Sequence, residues 1–352
     1  MKLLGATYSF FIFCIGYAMS LLATKGSKVV IVGSNYGGRA DPNAVTISRY
    51  LAEQGEQLVV IGDHLTDSAV AQVKRGSVRA ARYFFHSKAC FYTHSLSDII
   101  PFGHVFAHLF HPTRFTKLIF MQHGVIGLKS VSSNGVSMQD YVRSLEKTFN
   151  FMIVSSTREK QLVTGFGVPE EKISVTGLPR FDNYNAQPVG AKIVLVFFTW
   201  QKSAQLQKKM NEVLENEGLR ALQNAGYLIV CQQHDMQESL FIDEKTSDIA
   251  FQTAIETCAL LITDESSLAW DTFYRQQEVV FYKPDSEWLN SDPHLLDRVC
   301  RNSEELKLSL DSFLSSQNST VVDFAEFTDD QNCARVASLA GLNYRAEATS
   351  HD

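Results

Sequence analysis

The sequence predicts an α/β protein built from two doubly wound domains, and three observations predict it. Short β-branched runs alternate with longer stretches of helical period, the pattern of parallel strands joined by crossover helices. The 352 residues exceed the roughly 250 that one hydrophobic core holds. A polar segment with Pro and Gly, NYNAQPVG over Asn183–Gly190, interrupts the alternation near its middle and suits an interdomain linker.

The chain opens on Leu3–Ala23, twenty-one residues without a charge. As a helix this stretch is about 30 Å long, the thickness of a bilayer's hydrocarbon core. Three readings compete: a membrane anchor or interfacial helix, a cleaved signal peptide, and a buried core helix. Lys25, Lys28 and Arg39 follow the stretch and only Lys2 precedes it, so if it spans, the body of the protein lies on the cytoplasmic side.

Val29–Val32 (VVIV) then runs into Gly-Ser-Asn-Tyr-Gly-Gly, Asn43–Glu53 reads as a helix and Leu58–Ile61 (LVVI) as the next strand, a βαβ start. Further strands are predicted at Ala89–Tyr92, Lys117–Gln122 and Phe151–Val154. After the linker come Ile193–Phe198, Tyr227–Cys231, Leu260–Thr263 and Val279–Tyr282, with helical patterns at Ala204–Asn216, Leu268–Arg275 and Asp329–Leu342. The expected division is therefore a hydrophobic membrane-associated helix over 1–24, one Rossmann-like domain over 25–183, a second over 190–330, and a C-terminal helix and tail over 331–352. In open parallel sheets ligands bind beyond the carboxyl ends of the strands, so the active site is expected where two such domains face a central cleft.

Composition narrows the function. Lys+Arg 32 against Asp+Glu 38 gives a net charge of −6, so no bulk positive field exists to hold a nucleic acid. Six cysteines are scattered with no CxxC pair, which argues for reduced thiols in a cytosolic setting and against a zinc module. Gly33, Gly37 and Gly38 follow a strand without GxGxxG spacing, and His104, His108 and His111 are stopped by Pro112 with no accompanying carboxylate, so dinucleotide and zinc readings are weak.

Four constellations carry chemistry. His123-Gly124 follows a strand, which places an imidazole of near-neutral pKa where it can accept a proton from a hydroxyl; the alternative is a histidine bonded within its turn. Lys129 is either a phosphate-reaching cation or a solvated side chain. Gly177-Leu178-Pro179-Arg180-Phe181-Asp182 presents one arginine able to fork onto phosphate oxygens, or one ion-paired with Asp182. Thr263-Asp264-Glu265-Ser266-Ser267 ends a strand where a helix must begin, so free N–H groups and hydroxyls converge on one anion site; Asp271, one turn on, lies on the same face. There the alternative is plain N-capping by Asp264 or Ser266. His234 follows the strand predicted at Tyr227–Cys231 and is either a diphosphate contact or a surface histidine.

Taken in order, His123-Gly124, Gly177–Asp182, Thr199-Trp200, His234, Thr263–Asp271 and Val280–Asp285 resemble the CDP-glycerol glycerophosphotransferase family of teichoic-acid primases and polymerases. A Gly33-Ser34…Gly37…Asn43 start extends the likeness. The resemblance implies a GT-B fold, with the acceptor at the N-terminal domain and the nucleotide in the C-terminal one. It implies His123 as the base, Arg180, His234, Ser266 and Ser267 on the donor's diphosphate, and Asp271 on polyol or ribose hydroxyls; Thr263 is counted with the donor-binding residues, and Lys129 is a candidate for acceptor or phosphate. No metal or other cofactor is implied. The implied partners are CDP-glycerol or a related CDP-polyol, an undecaprenyl-linked glycan acceptor and the cytoplasmic face of the cell membrane. Glu265 stands where members carry Tyr, and Val125-Ile126-Gly127-Leu128-Lys129 is one residue longer than the usual segment after His-Gly. Another GT-B sugar-nucleotide transferase, a UDP-N-acetylglucosamine 2-epimerase-like enzyme and a catalytically silent nucleotide-binding protein are the competing readings.

Overall fold

The structure is a computed structural model; it describes residues 2–21, 28–38, 41–62, 71–103, 111–126, 136–182, 192–199, 203–232, 251–284, 293–315 and 326–344. The chain forms two compact units: residues 1–125, 133–184 and 325–352 make the first, residues 126–132 and 185–324 the second.

Seven strands form the sheet of the first unit: β1 (Val29–Gly33), β2 (Leu58–Ile61), β3 (Ala71–Val73), β4 (Ser87–Tyr92), β5 (Lys117–Phe120), β6 (Phe151–Val154) and β7 (Ile173–Val175). Their order is β3-β2-β1-β4-β5-β6-β7 and every neighbouring pair is parallel. β1 is buried along its whole length, as expected of a continuous apolar run in a parallel sheet. Strand order reverses between β1 and β4, which makes that edge a topological switch point. Register sets Tyr92 beside Phe120, so the segments after β4 and β5 leave the sheet side by side. The helix Pro42–Glu53 starts on Asp41, whose carboxylate accepts from Asn43 N at 2.8 Å, with Pro42 in the first turn, where a missing N–H costs nothing.

The opening hydrophobic stretch forms a helix over Lys2–Leu21, and it corrects the spanning reading: among the described residues no helix is long and apolar enough to cross a membrane. Gly5, Thr7, Ser9, Gly16 and Ser20 dilute its hydropathy, and one face is used for packing. Phe13 is buried with its ring against Phe84 and Phe85, and Gly16 lies so close to the helix Val78–Phe85 that a Cβ there would collide with Ala81.

The second unit holds β8 (Ile193–Phe197), β9 (Leu228–Gln232), β10 (Leu260–Thr263), β11 (Glu278–Tyr282) and β12 (Val299–Cys300), parallel throughout in the order β12-β11-β10-β8-β9. Its switch point lies between β8 and β10. Val194, Val196, Leu206, Val213, Leu222 and Leu306 are among the side chains of its core, each contributing roughly 1.5–3 kcal/mol by leaving water.

The C-terminal helix forms over Asn332–Leu339 and belongs to the first unit. Asp182 holds its start, accepting from the N–H groups of Asn332 at 2.9 Å and Cys333 at 2.7 Å. Gly177, at φ +74°, runs beneath Asn332 with no room for a side chain. Sequence periodicity misses β3, β7 and β12, strands of two or three residues.

Candidate functional site

In the first unit the site is built at the carboxyl ends of β1, β4 and β5. β5 stops at Phe120, two residues before the end predicted at Gln122, because Gln122 turns the chain with a left-handed φ of 63°. Non-glycine residues adopt that conformation at a cost, and it persists only where the surroundings impose it. They do so here. The buried Gln122 side-chain amide donates to Ile153 O at 2.7 Å and to Glu159 Oε1 at 3.1 Å, and Gln122 O accepts from Asn43 Nδ2 at 3.0 Å. Glu159 is itself fixed by Ser155 N and Oγ at 2.6 and 2.8 Å.

His123 follows directly and is exposed. Its carbonyl accepts from Arg180 Nη1 at 3.2 Å, so the structure brings His123 and Arg180 together. Arg180 is buried in a 3-10 turn, Pro179–Phe181, and its own N–H donates to Asn43 Oδ1 at 3.1 Å. The fully buried Asn43 thus binds the loop of His123 through its amide NH2 and the turn of Arg180 through its amide oxygen. Asp182 gives both oxygens to the C-terminal helix, and burial raises its pKa.

His94, which sequence reasoning missed, lies against His123: the rings are stacked with centroids 4.7 Å apart and planes 12° apart. His94 Nδ1 is 2.9 Å from Thr93 Oγ1, its N–H donates to Asp98 Oδ2 at 2.8 Å, and its carbonyl accepts from Tyr141 Oη at 2.8 Å. Burial lowers its pKa against the opposing pull of Asp98. Asp98, fully buried, also accepts from Thr93 N at 3.1 Å and from Tyr36 N at 2.9 Å, joining the two loops at the switch point. The signal was available, since Thr93-His94 follows a predicted strand just as Gln122-His123 does.

In the second unit Thr263 is fully buried and its hydroxyl donates to Phe197 O at 2.6 Å, which ties β10 to β8. Asp264 accepts from Thr199 N and Oγ1, both at 2.9 Å, with the buried Lys209 Nζ 3.6 Å away. Ser266 Oγ accepts from Leu268 N at 3.3 Å. Ser267 precedes the helix Leu268–Tyr274 and makes no capping bond with its side chain; Asp271 is buried within that helix. Glu265 pairs with Lys283, which follows the neighbouring β11. The negative charge that Glu265 adds beside the expected anion site is thereby matched by a buried cation. Lys129 and His234, both predicted site residues, lie outside the described residues, as do His104 and His108.

Residues 15–333 match the family described as CDP-glycerol:poly(glycerophosphate) glycerophosphotransferase. The chain is 24% identical over 198 residues to the minor teichoic acid biosynthesis protein GgaB of Bacillus subtilis (strain 168), a match covering 47% of this chain and 21% of GgaB, so it spans about a fifth of that relative's length. Among solved structures, the wall teichoic acid polymerase TagF superposes with a TM-score of 0.63 at 15% identity, over 93% of this chain and 92% of that one. A TagF variant soaked with CDPG gives 0.61 at 15% identity, over 93% and 92%. The UDP-GlcNAc 2-epimerase of Methanocaldococcus jannaschii gives 0.57 at 11% identity, over 89% and 99%. These structural likenesses show the α/β fold.

Proposed function

The chain belongs to the CDP-glycerol:poly(glycerophosphate) glycerophosphotransferase family, and from that premise we propose that it transfers glycerol phosphate from CDP-glycerol to a hydroxyl of a lipid-linked glycan in teichoic-acid synthesis. The observation that carries the reading is His123: an exposed imidazole at the carboxyl end of β5, on a loop held from both sides by Asn43 and Arg180. In this reading the units divide the work as in GT-B enzymes, the first taking the acceptor and the second the donor.

His123 removes the proton from the acceptor hydroxyl as that oxygen attacks the β-phosphorus of CDP-glycerol. A new P–O bond forms to the acceptor, the bridging P–O bond breaks, and CMP leaves with its electron pair. Ser266, Ser267 and the N–H groups beside them stabilise the diphosphate, with Arg180 and His234 as further contacts. Asp271 faces polyol or ribose hydroxyls in the same reading. The acceptor is an undecaprenyl-linked glycan presented at the cytoplasmic membrane face, against which the N-terminal helix rests by its exposed Tyr8, Phe11 and Met19.

The test is CMP release from CDP-glycerol with a lipid-linked disaccharide acceptor. The expected result is release by the native protein and a loss of at least 100-fold in His123→Ala with its unfolding temperature preserved. Undiminished release by that variant overturns the assigned base. Stabilisation by UDP-GlcNAc but not by CDP-glycerol in a thermal-shift panel overturns the donor.

A further inference from the structure

The stacking of His94 on His123 has no part in the reaction scheme above, and the His94 side of it is firmly held. His94 is fixed through its ring, its N–H and its carbonyl, by Thr93, Asp98 and Tyr141 respectively. His123 is exposed and reaches its place from a turn two residues past β5. A histidine ring on an exposed loop explores several rotamers. A flat neighbour 4.7 Å away at 12° restricts that freedom.

We propose that His94 is the positioning residue for His123: its ring is the fixed plate against which the proton-accepting imidazole lies. The proposal rests on the reading of His123 as the base. Correct orientation of a base toward a hydroxyl is worth much in rate, since small misplacements of a reacting group cost factors of about 100.

The charges around the pair agree with this role. When His123 accepts a proton it becomes a cation, and a second cation stacked on it would oppose the step. Burial holds His94 toward its neutral form. Among the described residues the groups around the pair include Asp98, which accepts from the His94 amide, the Tyr36 ring with its centroid 5.8 Å from that of His94, Arg75 over the Tyr36 ring at 5.9 Å, the Tyr141 hydroxyl, and the Arg180 guanidinium on the His123 carbonyl. The carboxylate lies on the His94 side and the guanidinium on the His123 side. The imidazole that reacts is therefore not the one anchored to Asp98.

The experiment compares His94→Phe, which keeps a flat ring, with His94→Ala, which removes it. The full-length protein is read in two ways. The first is NMR of the His123 ring protons without any substrate, where stacking produces an upfield ring-current displacement. The second is the steady-state kinetics of CMP release. The expected result is that His94→Phe retains the displacement and keeps kcat within about threefold, whereas His94→Ala loses the displacement and drops kcat by about tenfold or more, with KM for CDP-glycerol unchanged in both. A His94→Ala protein that keeps the displacement and kcat overturns the proposal, and so does a His94→Phe protein as slow as His94→Ala. If no form of the protein releases CMP, the transferase reading fails; the substrate-free ring displacement then decides the stacking role by itself.

Discussion

Asp98 and Asp264 occupy matching places in their separate units. Each follows the strand on one side of its sheet's switch point and accepts a hydrogen bond from the backbone of the loop on the other side. Asp98, after β4, holds Tyr36 N after β1; Asp264, after β10, holds Thr199 N after β8. The place where an open parallel sheet splays apart to admit a ligand is in both units secured by a buried carboxylate.

Asp98→Ala removes the acceptor of three backbone N–H groups at a site with no exposure. Hydrogen bonds to a charged acceptor are worth about 1.5–3 kcal/mol each, and buried donors left without one add their own penalty. The expected loss is about 3–5 kcal/mol of unfolding free energy, read as a lower urea midpoint with little change in slope.

Lys283→Met removes the cation paired with Glu265. If Ser266 and Ser267 receive a diphosphate, the affinity for CDP-glycerol falls by about tenfold, or ~1.4 kcal/mol, and adding Glu265→Gln restores most of it. Calorimetric titration of the single and double variants separates this coupling from a general loss of folding.

Asn43→Ala cuts the two bonds that join the loop of His123 to the turn of Arg180. Stability drops by about 2–3 kcal/mol, and CMP release falls further than stability alone requires. Comparing kcat well below the unfolding temperature with the midpoint of denaturation distinguishes the two effects.

Gly177→Ala and Gly55→Ala form a controlled pair. Both glycines sit at positive φ, +74° and +77°, yet only at Gly177 would the new Cβ run into a neighbour, Asn332. Gly55→Ala is expected to cost about 1 kcal/mol from the backbone alone, and Gly177→Ala at least twice that. Urea titrations of both variants give the difference directly.

Five of the six cysteines are buried and Cys14 is exposed. Burial pushes the thiols of Cys90, Cys231 and Cys258 up to about 12 and that of Cys300 to about 11, and raises Cys333 as well. At pH 8 a thiol reagent should therefore label one cysteine quickly in the native protein and six after denaturation. Raised folded values also fix the pH dependence. These groups leave stability intact below the unfolded thiol pKa of about 8.5. Above it the unfolded chain loses protons first, so stability falls as pH climbs toward about 12. A urea midpoint lower at pH 10 than at pH 7.5 is the expected sign.

The strands most visible in the sequence are those buried on both faces, such as Val29–Gly33 and Leu260–Thr263, because a parallel interior demands unbroken β-branched and aliphatic runs. Ala71–Val73 lies at the sheet edge with two exposed residues, so its sequence carries almost no period. His123 was legible because it follows a strong strand. His94 also follows a predicted strand, but its meeting with His123 arises from the lateral pairing of β4 with β5, which the sequence does not display. The partnership of Glu265 with Lys283 likewise depends on β10 lying beside β11, a proximity that spacing along the chain does not encode.

All neighbouring strands of the first sheet are parallel, so among the described residues of the unit no hairpin offers a local nucleus. Loop-closure entropy is thus met before the contacts that reward it, and such topologies fold slowly. The apposed imidazoles come from segments joined only through completed β4–β5 registry. Their ring-current signal should accordingly emerge in the last kinetic phase of refolding, making the histidine pair an intrinsic clock for the moment at which the half-molecule becomes native.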